Sequence, residues 1–395
     1  MSIRVGVIGA GMRAYDFARY ARKNTDRVTV AAVCDIDGER AREFAAHTGM
    51  ADAHVHTDIR GLAAEKLDAA IIMVPDAFHR EVAEECLAMG LDVLLEKPMA
   101  LTGDDCRAII KAQTRSGTVL QMGFVLRAIR FYQQVKKILE QGTLGQVLSM
   151  SAAEHLSLDH SASFMRRWHR KRANSGSFLL TKCSHDIDIL NWLADSRPAA
   201  VASFGGLDVF THDKQPATHC SVCPAAVKAA CPYVFKGAFV HLTAEDTHDP
   251  SRNNWDLCVY NDDKDIVDNQ VAIIEYENRI RATFSLQLFA KRDQRHLTIT
   301  GEKGHLHGTL ESGKIVISPA GPGEEVTIDA TAGPGGHSGG DTASFDAFLD
   351  AVRLRAKPIA DVRSGLESTV AVNAIDRAML TGKVVRISRH EYRLD

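Results

Sequence analysis

The sequence predicts an α/β protein with two domains, the second built around a large, mostly antiparallel open sheet. Strand and helix patterns alternate up to about residue 122, which implies βαβ units and a parallel sheet. Beyond that point several strand patterns follow one another across short polar turns, as in an antiparallel sheet. The chain has 395 residues, whereas one domain usually has roughly 100–200. We therefore expect domains at residues 1–123 and 124–395.

Composition and charge exclude several classes of protein. The hydrophobic fraction is 45%, the charged fraction 25% and the formal net charge −3, so there is no basic field that would attract nucleic acid. No apolar run approaches the roughly 18 residues of a membrane span. The N-terminal apolar run lacks the layout of a signal peptide. We expect a cytoplasmic protein that binds neither nucleic acid nor membrane.

In the N-terminal domain, short β-branched runs alternate with longer helical patterns. Strands are predicted at IRVGVIG, VTVAAVCD, LDAAIIMVP, LDVLLEKP and TVLQMGF. Helices are predicted at 12–23, 38–47, 79–89 and 103–116. This order predicts one parallel sheet with helices on its faces.

In the second domain, helices are predicted at 130–141, 184–194 and 341–355, and the last of these is expected to be the final long helix. Strands are predicted at VLSMSAAEHL, AAVASFGG, QVAIIEYEN, IRATFSLQLF, RHLTITGEKGHLHGTL and KIVISP. Residues 204–257 are rich in His, Cys and Asp and are typical of loops, and TAGPGGHSGGD is a Gly-rich connection.

The stretch VGVIGAGMRA carries a dinucleotide-binding pattern. Gly9, Gly11 and Ala14 have the G-x-G-x-x-G/A spacing between the first strand and the first helix, which suits a tight turn, a close pyrophosphate and close packing of helix on strand. Asp35 ends the second strand, where a carboxylate would bind the ribose 2′-hydroxyl and repel a 2′-phosphate. The pattern predicts a Rossmann domain that prefers NAD to NADP. The alternative is a Gly-rich turn of an unrelated α/β protein.

Lys97 is the first catalytic candidate. It follows the fourth predicted strand in LLEKPMA, at the edge where ligands bind in open α/β sheets. A lysine there could polarise a substrate hydroxyl or move its proton. A cis bond before Pro98 would fix the direction of the side chain. The alternative is a solvated lysine after a strand.

Taken together, these stretches resemble the Gfo/Idh/MocA oxidoreductase family. GAGMRA, CDID, VPDAFH, EKP and SHDIDILNWL occur in the family's order, and the resemblance covers nearly the whole chain. It implies a Rossmann domain followed by an α/β domain whose large open sheet carries substrate residues and oligomer contacts. It also implies hydride transfer between nicotinamide and a sugar or cyclitol carbon.

The resemblance also implies roles for individual residues. Lys97 and His185 match the catalytic lysine and histidine, and Asp188 matches an acid one helical turn later. Pro75 and His79 match a turn near the nicotinamide. The expected cofactor-binding set is Gly9, Gly11, Met12, Arg13, Asp35, Ile36, Pro75, His79, Glu96 and Lys97.

The chain departs from the family pattern just before His185. Many relatives carry Asp four residues before this histidine, whereas this chain has Thr181 followed by Lys182. We expect either that Asp186 or Asp188 becomes the carboxylate partner of His185, or that Lys182 changes the chemistry. Residues three apart share a helix face, so Lys182, His185 and Asp188 are expected to form one stripe. His185 is expected to act as the general acid/base, because its pKa suits proton transfer near neutrality.

A basic stretch, FMRRWHRKRANSGS, lies upstream of His185. Its six cationic or histidine side chains are Arg166, Arg167, His169, Arg170, Lys171 and Arg172. They could hold an anionic sugar such as a uronate or a phosphate, or they could form a solvated loop. The expected substrate-binding set is Arg127, Trp168, His169, Lys182 and Asp188.

Three cysteines form a separate cluster. Cys220, Cys223 and Cys231 have the spacing C-x2-C-x7-C, with His219 beside the first. Three thiolates could hold a structural zinc, but adjacent residues rarely both reach one metal, so a fourth ligand would come from elsewhere. Reduced thiols or a disulfide are the alternatives.

The function that fits these observations is an NAD-dependent oxidoreductase acting on a sugar, sugar acid or cyclitol. The expected assembly is a homo-dimer or homo-tetramer formed through the C-terminal sheet. An NAD-dependent glycosidase that oxidises its substrate transiently is the alternative. A sensor that only binds NAD or sugar is disfavoured by Lys97 and His185.

Overall fold

A computed structural model describes residues 2–235, 255–331, 333 and 336–394 of the chain. Within these residues the first sheet has six parallel strands in the order β3-β2-β1-β4-β5-β6. The strands are β1 Ile3–Ile8, β2 Val28–Cys34, β3 His54–His56, β4 Ala69–Ile72, β5 Asp92–Leu95 and β6 Leu120–Met122. β4 and β5 are buried along their whole length, as expected for strands covered on both faces.

The helices of this domain are α1 Met12–Lys23, α2 Gly38–Thr48, α3 His79–Ala88 and α4 Gly103–Ser116. Asp37 and Thr102 cap α2 and α4 by accepting hydrogen bonds from first-turn backbone N–H groups. Gly49 and Gly117 end these two helices in the left-handed conformation. The predicted Rossmann architecture is therefore confirmed.

The second sheet has nine strands among the described residues, in the order β14-β13-β12-β11-β7-β10-β9-β8-β15. The strands are β7 Val147–Ser157, β8 Pro198–Gly206, β9 Asn269–Tyr276, β10 Arg281–Ala290, β11 Gln294–Gly301, β12 Gly304–Thr309, β13 Lys314–Pro319, β14 Val326–Asp329 and β15 Val385–Arg386. β7 pairs with β10 in parallel, and the other described pairs are antiparallel. The large, mostly antiparallel sheet is thus confirmed.

The remaining helices are α5 Arg130–Glu140, α6 Leu158–Arg166, α7 Arg172–Ser175, α8 Phe178–Ala194, α9 Ala225–Ala230, α10 Gly340–Leu354 and α11 Val362–Thr381. α8 is buried on nearly all sides and packs on α11 and on β7. No helix among the described residues is long and apolar enough to cross a membrane.

The structure corrects several predicted elements. α8 begins at Phe178 rather than Ser184, because Ser177 caps it by accepting a hydrogen bond from the backbone N–H of Leu180. The helix α10 is not the last long one, since α11 follows it; α11 is buried around most of its surface and shows no clear amphipathic stripe. β3, β14, β15 and α6 were not predicted either.

The two domains meet at the carboxyl edge of the first sheet, and we call the space between this edge and α8 the cleft. The carboxyl ends of the parallel strands lie at one edge, and Lys97 follows β5 at that edge. The first half of α8 faces it, since the Lys97 ammonium donates a hydrogen bond to the backbone carbonyl of Thr181. This contact places Lys97 and α8 in the same site.

Candidate active site

The glycine-rich turn after β1 has the geometry that its sequence pattern predicts. Gly9 has φ +89°, and a Cβ there would lie 2.7 Å from the carbonyl oxygen of Met73, so only glycine fits. A Cβ on Gly11 would meet nothing within 4 Å. Gly11 caps α1 without any side-chain hydrogen bond, which leaves first-turn N–H groups for an anion. These features fit the pyrophosphate of a dinucleotide.

Asp35 lies beside this turn, where the carboxyl ends of β1 and β2 come together. Its Oδ2 accepts a hydrogen bond of 2.8 Å from the backbone N–H of Ala10, and its Oδ1 accepts one of 2.9 Å from Asp37. Arg40 Nη1 lies 3.7 Å from Oδ1. The carboxylate is therefore fixed in direction by the turn that would hold the cofactor.

Four more residues of the expected cofactor set lie around this turn. Met12 and Ile36 are exposed, by 41% and 81%, which leaves their apolar side chains available to an adenine ring. Arg13 does not face solvent, because Nε lies 2.6 Å from Glu96 Oε1 and Nη2 lies 2.7 Å from Asp341 Oδ1. Arg13 and Glu96 thus connect α1 to β5 and to α10 rather than presenting free charges.

Pro75 and His79 lie on the turn after β4. His79 is buried, with Nδ1 2.6 Å from the carbonyl oxygen of Pro98 and Nε2 3.0 Å from that of Val74. Pro75 precedes the short turn Asp76–Phe78. His79 therefore stabilises the segment that carries Lys97 through these two hydrogen bonds, and its side chain is not part of an open surface.

Lys97 lies where the two domains meet, in contact with α8. The Lys97–Pro98 peptide bond is cis, as the sequence analysis anticipated. Burial lowers the pKa of Lys97, the charge of Asp76 raises it, and the charge of Lys182 lowers it again. The ammonium is held by its hydrogen bond to the Thr181 carbonyl.

His185 faces the same space from the first half of α8. Burial lowers its pKa well below the usual value, and the charges of Lys97, Arg295 and His337 add to this. Its Nδ1 makes no hydrogen bond to any described residue. The imidazole is therefore neutral near pH 7.

Neither expected carboxylate partners His185. Asp186 accepts a hydrogen bond of 2.9 Å from Arg295 Nε, and Asp188 binds Arg127. The expectation that Asp186 or Asp188 would complete the site beside His185 is wrong for the described structure, because each is paired with an arginine from another element.

The carboxyl group whose charge acts most strongly on Lys97 is that of Asp76, which was not among the predicted site residues. Asp76 is buried, and its Oδ2 has no hydrogen-bond partner among the described residues. Burial raises the pKa of Asp76 to about 7, while the Lys97 charge and the Thr181 side chain lower it. Its place in VPDAFH, directly after Pro75, was the available signal.

Lys182 belongs to a buried ionic cluster, which we define as Glu154, Lys182, Asp186 and Arg295. Lys182 Nζ lies 2.9 Å from Glu154 Oε1, and Arg295 pairs with both carboxylates. Burial raises the pKa of Asp186 to about 7, although Arg295 opposes this. The three residues Glu154, Cys183 and Asp186 lie close enough for a metal, but Lys182 and Arg295 already neutralise the two carboxylates.

Arg127 and Asp188 form a buried pair of their own. Arg127 Nε and Nη2 each lie 2.8 Å from one carboxylate oxygen of Asp188, and Nη1 donates to the carbonyl oxygen of Ile359. The guanidinium also lies 5.5 Å from the ring centroid of Trp192. Lys182, His185 and Asp188 therefore do not form the expected single stripe, since Asp188 is paired with Arg127.

Most of the basic stretch 166–172 does not face the cleft. Arg166 donates to the carbonyl oxygens of Leu257 and Tyr233, and Arg170 and Lys171 pair with Asp263. The Arg172 backbone N–H donates to Asp265. Of the two alternatives that the sequence left open, an anion-binding stretch or a solvated loop, these residues therefore match neither in full, because several of their charges are paired within the protein.

Trp168 and His169 remain near the cleft. Their rings stack with centroids 3.6 Å apart. Burial lowers the pKa of His169 well below its usual value, and the charges of Arg167 and Lys97 lower it further. His169 is thus within electrostatic range of Lys97.

The Gly-rich connection before α10 also enters the site, which the sequence analysis did not predict. The ring of His337 lies 6.5 Å from that of His185, centroid to centroid. Nδ1 of His337 lies 2.9 Å from Asp341 Oδ2, and Asp341 pairs with Arg13. A histidine inside a Gly-rich stretch belongs to no helix or strand pattern. The available signal for a site residue was its position between glycines in GGHSGG.

The cysteine cluster does not assemble a metal site in the described residues. All eight cysteines are free thiols, and no three ligand atoms among Cys220, Cys223 and Cys231 and their described neighbours lie within 4.8 Å of one another. Arg166 Nη2 instead lies 3.7 Å from Cys220 Sγ. The geometry gives no support to the expected structural zinc.

Comparisons with known proteins agree with this fold. A model described as "Oxidoreductase family, NAD-binding Rossmann fold" matches residues 3–124, and one described as "Oxidoreductase family, C-terminal alpha/beta domain" matches residues 136–387. YteT of Bacillus subtilis is 27% identical over 342 residues, which is 80% of this chain and 79% of YteT.

Two further proteins are similar to this chain. Inositol 2-dehydrogenase 2 of Saccharopolyspora erythraea is 34% identical over 196 residues, which is 49% of this chain and 54% of that one. The WlbA dehydrogenase of Bordetella pertussis, solved in complex with NADH and UDP-GlcNAcA, has a TM-score of 0.72 at 20% identity and covers 98% of this chain and 99% of its own. Because the two family models together span most of the sequence, this chain belongs to the Gfo/Idh/MocA family of oxidoreductases.

Proposed function

We propose that this protein is an NAD-dependent dehydrogenase that oxidises a CH–OH group of a sugar, sugar acid or cyclitol, or reduces the corresponding ketone. The observation that carries this proposal is the meeting of Lys97 and His185 at the carboxyl edge of a dinucleotide-binding sheet. When bound, the nicotinamide would supply the hydride acceptor or donor.

Lys97 and His185 have different roles towards the substrate hydroxyl. His185 is neutral near pH 7 because burial and neighbouring cations lower its pKa, so its imidazole can take the hydroxyl proton as a general base. Lys97, as an ammonium, stabilises the negative charge that develops on the oxygen. In the reduction direction His185 returns the proton.

NAD is the preferred cofactor in this proposal. The Asp35 carboxylate, fixed by Ala10 and Asp37, would accept hydrogen bonds from a ribose 2′-hydroxyl and repel a 2′-phosphate. The glycine-rich turn would hold the pyrophosphate through the first-turn N–H groups of α1.

The substrate is proposed to carry a negative charge. The largest charge effects on His185 come from Lys97, Arg295, His337 and Lys182, and those on His169 come from Arg167, Lys97 and His160. Glu154 pairs with both Lys182 and Arg295, whereas the Lys97 ammonium is held by the uncharged carbonyl of Thr181. A uronate or another sugar acid would neutralise the excess positive charge.

A substrate panel tests the function directly. Neutral sugars, cyclitols and sugar acids are offered with NAD, and the absorbance of NADH is followed. Lys97→Met should abolish turnover but retain NAD binding measured by titration calorimetry. Unchanged turnover in that variant would reject the role of Lys97. Release of nitrophenol from nitrophenyl glycosides without net formation of NADH would indicate the glycosidase instead.

We also propose that the protein forms a homo-oligomer through the outer face of the second sheet. Phe204, Val271 and Ile273 are exposed on β8 and β9, by 69%, 49% and 58%. Phe204 lies opposite Val271 in the strand register, and Ile273 lies opposite Ala202. A contiguous apolar patch on a sheet face is typical of an interface, and a second copy of the same face would cover it.

A further inference from the structure

Arg13 follows the glycine-rich turn directly, but its guanidinium contacts two other elements of the site. Nε lies 2.6 Å from Glu96 Oε1, and Nη2 lies 2.7 Å from Asp341 Oδ1. The guanidinium carbon is also 5.7 Å from the ring centroid of Phe345. Arg13 therefore joins the turn that would hold the cofactor to the segment that carries Lys97 and to the first turn of α10.

Asp341 depends on the charge of Arg13. It is 4% exposed, and its Oδ1 accepts no well-aligned hydrogen bond from a described residue, so the nearby guanidinium is what compensates this buried oxygen. Oδ2 lies 2.9 Å from His337 Nδ1. Burial alone would raise the pKa of Asp341, but the hydrogen bond with His337 and the charge of Arg13 outweigh burial and hold that pKa below its usual value. Asp341 is thus an ionised link between Arg13 and His337.

The segment that carries His337, Gly336–Gly339, has a backbone that its own sequence does not favour. His337 has φ 45° and Ser338 has φ 55°, left-handed values that residues other than glycine keep only where the surrounding structure imposes them. A Cβ on Gly336 would collide with Asp341 Oδ2, so the segment lies close around this carboxylate. The hydrogen bond between His337 and Asp341 therefore stabilises a backbone conformation that is strained by itself.

The position of His337 matters because its ring lies 6.5 Å from that of His185, centroid to centroid. Two nitrogen atoms that each form a hydrogen bond of about 2.7–3.2 Å with one oxygen lie at most ~6 Å apart, so both rings can reach the same substrate oxygen. Nδ1 of His337 is bound to Asp341, and its other nitrogen is the one that would face the substrate. The contacts that begin at Arg13 thus end at the substrate hydroxyl.

We propose that Arg13 is a positioning residue that holds Asp341 and, through it, fixes His337 where its imidazole can bind the substrate hydroxyl beside His185. Arg13 therefore acts on the substrate site, although its place in the sequence is in the cofactor-binding turn. The effect on turnover rests on the proposed function, whereas the link from Arg13 to His337 does not.

Arg13→Met removes the guanidinium and should still fold. α1 and α10 stay packed through Phe17 and Phe345, whose ring centroids are 5.1 Å apart, and through the Tyr20 hydroxyl, which lies 2.6 Å from Asp346 Oδ1. A methionine at this position can pack on the Phe345 ring.

The matched control is Arg19→Met. Arg19 lies on the same helix, and its guanidinium is 3.3 Å from Asp16 and exposed to solvent. Arg13 also pairs with Asp16, so the two variants each remove one arginine partner of that residue. The link to Asp341 is lost in Arg13→Met and kept in Arg19→Met.

The first measurement uses crystal structures of the full-length wild type and both variants, and it needs no turnover. In Arg13→Met the hydrogen bond between His337 and Asp341 should be lost, and the His337 ring should leave its place beside His185. Arg19→Met should keep both contacts. An unmoved His337 in Arg13→Met would overturn the proposal.

The second measurement is a double-mutant cycle on kcat/KM for the sugar at saturating NAD. Arg13→Met should lower this value roughly tenfold, as the loss of one hydrogen bond would, while KM for NAD stays unchanged. The double variant Arg13→Met with His337→Ala should be no slower than His337→Ala alone, because side chains that act as one unit are not additive. Losses that multiply would contradict the proposal. A rise in KM for NAD with unchanged kcat/KM for the sugar would also contradict it, because Arg13 would then be a cofactor residue.

Asp341→Ala keeps the proposal testable if Arg13→Met does not fold. It removes the carboxylate between Arg13 and His337, so it should release His337 and lower kcat/KM in the same way. A His337 ring that stays beside His185 in Asp341→Ala would refute the link. If the crystal structures change as expected but the protein oxidises no sugar, the link from Arg13 to His337 is kept and only the dehydrogenase is rejected.

Discussion

The ring of His337 lies 6.5 Å from the ring of His185, although 151 residues lie between them in the sequence and they belong to different elements. Asp341 fixes His337 through Nδ1, which leaves the other ring nitrogen for a ligand. A substrate hydroxyl bound by His185 would be within reach of that nitrogen.

We therefore expect His337→Ala to lower kcat/KM roughly tenfold, which corresponds to one hydrogen bond of about 1–1.5 kcal/mol. The melting temperature should change little, because His337 is partly exposed. Steady-state kinetics with Ser338→Ala as the neighbouring control would check this. An unchanged kcat/KM would remove His337 from the substrate site.

Lys182→Met should change the pH dependence of the reaction. The charge of Lys182 lowers the pKa of His185, so removing it should raise that pKa. Oxidation needs the neutral imidazole, and the low-pH limb of kcat/KM should therefore move to higher pH. KM for a sugar acid should also rise more than KM for a neutral sugar. The variant should still fold, because Arg295 still pairs with Glu154. An unchanged low-pH limb of kcat/KM would show that Lys182 does not act on His185.

Asp35→Ser should relax the preference for NAD. The change removes the charge that repels a 2′-phosphate and releases Arg40, which lies 3.7 Å from Asp35. We expect the ratio of kcat/KM for NADP to that for NAD to rise about tenfold, or ~1.4 kcal/mol. Asp37→Asn alters a cap of α2 in the same loop and should affect stability without changing the ratio. Equal ratios in Asp35→Ser and wild type would argue against this role of Asp35.

Arg127→Leu should destabilise the protein rather than weaken substrate binding. Asp188 is 1% exposed and would lose the partner that neutralises it, and breaking a buried pair typically costs about 3–5 kcal/mol. Urea unfolding of Arg127→Leu, Asp188→Asn and the double variant would measure the coupling. If stability were kept and KM alone increased, Arg127 would be a substrate residue after all.

Phe204→Lys together with Ile273→Lys should dissociate the oligomer. Both side chains are exposed on neighbouring strands of the second sheet, and two buried ammonium groups would oppose association. Light scattering coupled to size-exclusion chromatography would report the mass. Val326→Lys, on the far strand β14, should leave the mass unchanged, and a wild-type monomer would contradict the proposed interface.

The sequence predicted what is encoded locally. The glycine spacing, the alternation of strands and helices, and Lys97 after a buried strand all depend on residues near one another in the chain. Side-chain contacts between elements that are distant in the sequence could not be predicted from such local patterns. Asp188 was expected at the substrate because it lies one turn after His185, but its partner Arg127 comes from a different element. The influence of the Asp76 charge on Lys97 could likewise be recognised only from the folded structure, in which Lys97 also contacts Thr181 of α8.

The central position of β7 in the second sheet has a consequence for how the chain is made. β7 emerges from the ribosome long before β10 and β11, the two strands that flank it. Its backbone donors and acceptors therefore stay without sheet partners for much of synthesis, whereas the parallel sheet before it can already close. The nascent chain would therefore present an unpaired strand while the N-terminal domain still lacks Phe345, Phe348 and Leu349 of α10, which belong to its core. Both domains would reach their final packing only after α10 has been synthesised.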